Sequence, residues 1–256
     1  MGAGHGPADG LYVHGHGVLH RMPAECKLVA VLAFVFTVVS TPREAFWAFA
    51  AFAVLLAVVA VVAGLSLGLV SRRLVIEVPF LAFAFLLPIV GRGERVDVLG
   101  VGLSHAGLWA AWNILAKGTL GVAATVIMAS TTPIRDILHG LQRLRLPAVI
   151  VGICSFMIRY SDVVTGEMRR MRVARESRGH DPRWIWQARA VASSAGALFI
   201  RSYERGERVY LAMASRGYSG AMPVLDERRA ARRDWVTAAM LPAAALVVAS
   251  TAWVLR

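Results

Sequence analysis

Apolar residues in this chain come in long runs separated by short polar segments. From Phe46 to Leu65 no residue is polar. Twenty residues of α-helix at about 1.5 Å each reach roughly 30 Å, the thickness of a bilayer's hydrocarbon core. A helix packed in a soluble core keeps a polar face, and this stretch has none. Leu74 to Val90, which carries Glu77, Pro79 and Pro88, repeats the texture, as do Leu103 to Met128 and Trp235 to Leu255. Leu28 to Val39 is short for a span and also fits a re-entrant segment, with Glu25 and Lys27 at one end and Arg43 at the other. Gly91 to Gly102 reads as a polar loop. The pattern predicts an all-α, polytopic membrane protein of about five transmembrane helices.

Between the fourth and fifth runs the texture changes. Pro133 to Pro147 is amphipathic, with Leu138, Leu141 and Leu144 at helical spacing and Arg135, Arg143 and Arg145 at other positions. Pro147 opens a long helix, apolar from Ala148 to Ile158 and arginine-rich to Arg178, which Gly179 and Pro182 stop. A second long helix runs from Trp184 to Arg216 and is stopped by Gly217. Its apolar part, Ala190 to Ile200, matches Ala148 to Ile158 in length, and such a run makes only about half a bilayer of helix.

Charge decides how these half-length runs are placed. The chain is 57% hydrophobic and 17% charged, with net charge +12 and mean hydropathy +0.58, whereas ordinary globular domains are about one quarter charged. Sixteen of the 28 Lys+Arg residues lie between Arg159 and Arg233. Such a basic balance suits nucleic acid, anionic lipid or an acidic partner. In a chain with spans, retention of arginine on the cytoplasmic side accounts for it, and no nucleic-acid partner is expected. Had both half-length runs crossed, Arg169, Arg170, Arg172, Arg175, Arg178, Arg183 and Arg189 would lie outside, against that rule. The expectation is therefore that Thr131 to Arg233 stays inside, partly embedded at the interface, with a cytoplasmic N-terminus and Arg256 outside.

The two long stretches end alike. The first closes on Ser177-Arg178-Gly179 and the second on Ser215-Arg216-Gly217, 38 residues apart. Glycine takes the left-handed conformation that caps a helix C-terminus, and arginine in the last turn meets the negative end of the helix dipole. Two ordinary glycine-capped helices would look this way. So would two helices that each present an arginine to a carboxylate on a partner, a role the forked guanidinium suits.

The paired arginine-glycine ends, after four spans and before a last one, resemble the T component of energy-coupling factor (ECF) uptake transporters. That family usually shows Ala-Arg-Gly twice, and here small Ser replaces small Ala. Thr132-Pro133, with Leu138, Leu141, Leu144 and Pro147, is similar to the segment before the family's coupling helices. His20-Arg21-Met22 and Lys27-Leu28 resemble its N-terminal signature, although Pro23-Ala24-Glu25 replaces the usual Asp-Pro-Arg. The wording of Glu167 to Arg172 and of Glu204 to Tyr210 resembles the cobalt branch.

The resemblance implies an energy-coupling subunit of an importer in the bacterial cell membrane, most simply for cobalt ions, with nickel or a vitamin as alternatives. It implies no catalytic residue, no cofactor and no metal site. The implied partners are two cytoplasmic ABC-type ATPases and a membrane substrate-binding (S) subunit, with a small accessory membrane subunit as an open addition. The partner-binding residues it implies are Ser177, Arg178, Gly179, Ser215, Arg216 and Gly217. The implied organisation is a polar N-terminal segment at 1–22, a four-span core at 23–130, cytoplasmic or interfacial coupling helices at 131–217, and a basic linker with the last span at 218–256.

The residues bear on the rival classes. No G-x-x-x-x-G-K-[ST] loop is present, so ATP hydrolysis by that route is excluded. A channel or free-standing carrier would also lack the loop. A membrane enzyme would need clustered acids or histidines, and Glu77, His105 and Asp136 form no spaced motif. His5, His14, His16 and His20 sit among glycines that oppose a preorganised metal site. Cys26 and Cys154 suggest neither a disulfide framework nor zinc. Met1 to Leu19 lacks the apolar region of a signal peptide. Lys117, near the middle of the fourth span, is an intramembrane charge that calls for a role, with Glu77 as one candidate partner. Gly166, Gly206 and the run Ser193-Ser194-Ala195-Gly196 would suit close helix crossing.

Overall fold

A computed structural model describes residues 12–13, 15, 17–91, 95–98, 101–179, 188–220 and 230–255. The chain divides into two compact units, one of residues 11–140 and 228–256 and the other of residues 1–10 and 141–227.

The first unit is a membrane bundle. Its helices are α1 (Val18–Arg21), α2 (Ala24–Ser40), α3 (Phe46–Val62), α4 (Leu67–Arg73), a 3-10 turn at Leu74–Glu77, α5 (Val78–Val90), α6 (His105–Thr131), the first part of α7 (Ile134–Arg143), and α10 (Arg232–Val254). The segment Gly68–Val90, α6 and α10 are long and apolar enough to cross a membrane, and α3 is a shorter apolar helix. The fold is thus all-α and polytopic, with one exception. The expected polar loop holds an antiparallel hairpin of β1 (Arg95–Val98) and β2 (Val101–Ser104). Alternating Val96, Val98, Val101 and Leu103 give it strand chemistry.

Two expected boundaries move. The first apolar run sits in a longer helix, because α2 begins at Ala24 and extends 17 residues, with Glu25 and Lys27 in its first turns, about 25 Å of helix. The third begins at Leu67, where the Ser66 hydroxyl accepts from the Leu69 N–H, and it passes through the 3-10 turn at Glu77 rather than running straight.

Small residues let the bundle close. On α3, Ala48, Phe52, Leu56 and Ala60 recur every four residues and are all buried. On α10 the matching stripe is Ala245, Ala249 and Ala252. These pack with Phe34, Val38, Leu120, Ala124 and Ile127 into one core, where Phe34 and Phe52 meet edge to face at 5.9 Å. Lipid gives helices no hydrophobic drive to associate, so alanine stripes that bring backbones close serve instead. The outer faces carry Phe36, Ile76, Phe80, Phe85 and Met240, each more than 60% exposed, as a lipid-facing surface would.

Where α5 and α6 approach, a Cβ on Gly107 would lie 2.5 Å from the Leu87 carbonyl oxygen and 2.8 Å from the Pro88 Cα. Only glycine fits there. Gly140 is held to the same rule on α7, where a Cβ would lie 2.9 Å from the Glu25 backbone nitrogen.

The second unit is built on α8 (Ala148–Ser177) and α9 (Ala188–Ala214), which pack on each other. Helix α8 also meets the length and composition of a span, owing to its apolar first third. The chain enters this unit through a left-handed Arg145 (φ 65°), where the Leu146 N–H reaches back to Leu141 at 3.2 Å. Arginine here stands where helix ends usually place glycine.

Candidate functional site

Arg178 and Arg216 occupy equivalent places at their helix ends. In α9 the Tyr218 N–H bonds the Met213 carbonyl and the Gly217 N–H bonds the Ala214 carbonyl, each at 3.0 Å. With Gly217 at φ +83° this is a Schellman end, and it makes Arg216 the capping residue. In α8 the Gly179 N–H bonds the Glu176 carbonyl at 3.0 Å with Gly179 at φ +73°, so Arg178 is the cap. His180 and Pro182, where the second bond and the expected stop would fall, lie outside the described residues.

Ser177, Arg178, Gly179, Ser215, Arg216 and Gly217 are all exposed. No side-chain partner holds either guanidinium among the described residues. The Ser177 and Ser215 hydroxyls donate back to the Val173 and Ala212 carbonyls, which satisfies them within their own helices. Each tip therefore offers one uncommitted arginine on a rigid helix end.

A cross-brace that the sequence does not announce joins the two helices. Glu167 on α8 accepts from Arg170 on its own helix and from Arg201 on α9, the latter at 2.6 Å. These two guanidinium bonds, Arg170 first, hold the Glu167 carboxyl below the usual carboxylate range. An i, i+3 pair was readable in the sequence, whereas the partner 34 residues away was not. Between the helices lies an apolar cavity of 470 Å³ lined by Phe156, Tyr160, Leu198, Val209, Tyr210 and Met213.

The glycines of these helices are not required by close crossing. A Cβ at Gly196 or Gly206 would meet nothing within 4 Å, and at Gly166 only the Arg170 side chain at 3.7 Å. Close approach therefore does not require them.

In the membrane unit the two lysines have reciprocal roles. Lys27 on α2 is buried and donates to the Thr131 carbonyl at 3.0 Å and the Thr132 hydroxyl at 2.9 Å, at the end of α6. Lys117 on α6 donates to the Val39 carbonyl at 2.7 Å, at the end of α2. Each cation thus meets the negative end of the neighbouring helix and an orphan carbonyl. Glu77 does not pair with Lys117. It is buried and accepts from Thr119 at 3.1 Å. Glu25 accepts from the Ala230 N–H at 3.1 Å, tying the start of α2 to the approach to α10. The His20 Nε2–H donates to the Val13 carbonyl at 3.1 Å, while His5, His14 and His16 lie outside the described residues. Among the described residues no three His, Cys, Asp or Glu side chains converge.

A bundle of apolar helices with lipid-facing outer surfaces, joined in sequence to a basic helix pair with twin arginine tips, defines a multi-pass membrane protein. The chain belongs to the cobalt transport protein family CbiQ, which it matches over residues 15–225. It is 32% identical to the cobalt transport protein CbiQ of Rhodobacter capsulatus over 133 residues, 52% of this chain and 54% of that one. It is 26% identical to the energy-coupling factor transporter transmembrane protein EcfT of Bacillus selenitireducens over 224 residues, 82% of this chain and 83% of that one. A Streptococcus thermophilus protein of the same name is 22% identical over 231 residues, 83% of this chain and 85% of that one. Against three of the curated relatives it matches, the chain spans only 30%, 54% and 59% of their length.

Proposed function

We propose that this chain is the energy-coupling membrane subunit of an ATP-driven cobalt importer. It bridges two cytoplasmic ABC-type ATPases and a separate membrane substrate-binding subunit and performs no catalysis itself. The observation that carries the reading is the pair of exposed arginine caps. Two similar ATPases call for two similar contacts, and Ser177-Arg178-Gly179 and Ser215-Arg216-Gly217 supply them at the ends of two long helices. When ATP draws the ATPases together, the tips follow, and the Glu167–Arg201 brace makes α8 and α9 respond as a unit. The names of the relatives favour cobalt over nickel or a vitamin.

Reconstitution tests the assignment. Proteoliposomes holding this chain, its ATPases and its substrate-binding subunit should accumulate radiolabelled cobalt only with ATP and only with all components present. Cobalt accumulation by this chain alone would overturn the reading in favour of a free-standing carrier, and preferential nickel uptake would overturn the choice of metal.

The reading also places 131–233 in the cytoplasm or at its interface, with α2, α3, Gly68–Val90, α6 and α10 crossing. Arginine distribution supports this, and it makes the apolar third of α8 interfacial. Single cysteines at positions 180 to 188 should resist an impermeant thiol reagent added outside, and a cysteine in place of Arg256 should react. Labelling of the first group from outside would sink this topology.

A further inference from the structure

We propose that the polar groove between α8 and α9 beside Arg175 is a binding site for a phosphate group. The groove has a volume of 460 Å³, and Glu167, Arg170, Arg175, Arg178, Ser193 and Arg201 line it. Four guanidiniums there face one carboxylate, and Glu167 is already engaged by Arg170 and Arg201. Among the described residues, Arg175 and Arg178 are left without an acceptor.

Arg175 is the sharper anomaly. Its Nε and Nη1 atoms are shut off from water and bond nothing among the described residues. Buried donors without acceptors are rare and destabilising, so each calls for a missing partner. Guanidinium N–H groups without acceptors suit the oxygens of a phosphate. The lining carries a net charge of three positive units, from four arginines and one glutamate. A single carboxylate would neutralise one of them, whereas a phosphate offers more oxygens and up to two charges. The α9 wall is made of Ser193, Ser194 and Ala197. Their small size leaves the room.

The phosphate has two possible sources, the headgroup of an anionic phospholipid or free phosphate. The groove shares Arg178 with the partner contact proposed for the tips, so Arg178 is left unchanged in the test. The full chain would be placed in nanodiscs of phosphatidylcholine, with or without phosphatidylglycerol, and with or without inorganic phosphate in the zwitterionic discs. Apparent thermal stability and lipid retention by native mass spectrometry are the readouts. Stabilisation by phosphatidylglycerol or by inorganic phosphate is expected, and which of them acts identifies the source. Arg175→Gln should weaken the effective additive about tenfold, the worth of a charge-assisted bond. Ser193→Leu, which fills an exposed position on the opposite wall, should do the same without touching any arginine. Arg208→Gln, outside the groove, should leave it intact. No response to either additive, or equal responses in wild type, Arg175→Gln and Ser193→Leu, would overturn the proposal.

Discussion

Replacing Arg178 and Arg216 together with alanine is expected to abolish ATP-driven uptake and release the ATPases, with membrane insertion intact. Both side chains are exposed and have no partner among the described residues. Surface changes of that kind usually move stability by less than about 0.5 kcal/mol, so a folding defect is not the expected route. In the complex proposed above, each truncation would strand an acidic group of an ATPase. For a buried, hydrogen-bonded charge pair that costs about 2–5 kcal/mol, and even the lower figure is roughly 30-fold in affinity. Both tips belong to one subunit, so each contact raises the effective concentration for the other. A single variant should therefore keep one ATPase weakly and lose most uptake, while the double variant keeps neither. Arg208→Ala, exposed on α9, should do little. Co-purification and uptake read together decide the matter, and a double variant that still carries its ATPases and drives uptake removes the coupling role from these residues.

Much of this architecture was readable from the sequence because the bilayer imposes simple rules. An unbroken apolar run such as Phe46 to Leu65 has few alternatives to a helix in lipid. Gly179 and Gly217 marked helix ends because few other residues adopt φ near +80° without strain. The end of α7 was less legible, since Arg145 holds the left-handed position there. The hairpin hid inside a glycine-rich loop. It consists of two four-residue strands, too short for alternation to stand out against the flanking apolar residues.

Within the candidate site, the tips were legible and their surroundings were not. Repetition of Ser-Arg-Gly is a local signal, whereas the Glu167–Arg201 brace and the unpartnered Arg175 arise only once two helices are side by side. Lys117 shows the same limit in the membrane. Its position in an apolar run announced that a partner must exist. The partner is a backbone carbonyl on another helix, at Val39, which no side-chain pattern can reveal. Glu77 was the candidate because a carboxylate is visible in a sequence, whereas the helix end that lies beside Lys117 is not.

That reciprocity gives Lys27 a large expected effect. Lys27→Met keeps the length and apolar stem of the side chain but removes the ammonium. The Thr131 carbonyl and Thr132 hydroxyl, both in buried residues, then lose their donor. Hydrogen bonds to charged groups contribute about 1.5–3 kcal/mol each. Relief from burying a charge offsets part of the loss, so a net destabilisation of about 2–3 kcal/mol is expected. For a chain of this size, each kcal/mol lowers the melting temperature by about 2–4 °C, which puts the drop near 5–10 °C in detergent or nanodiscs. Thr132→Val separates this contact from a general packing loss. If Lys27 acts through the end of α6, Lys27→Met should cost less in a Thr132→Val background than in wild type. That coupling should be at least about 0.5 kcal/mol, as for residues in direct contact. Independent, additive costs would show that Lys27 stabilises the bundle by some means other than capping α6. Because the contact joins α2 to the segment from which α7 departs, Lys27→Met should also raise protease sensitivity near Pro133, while leaving the tips at Arg178 and Arg216 chemically unchanged.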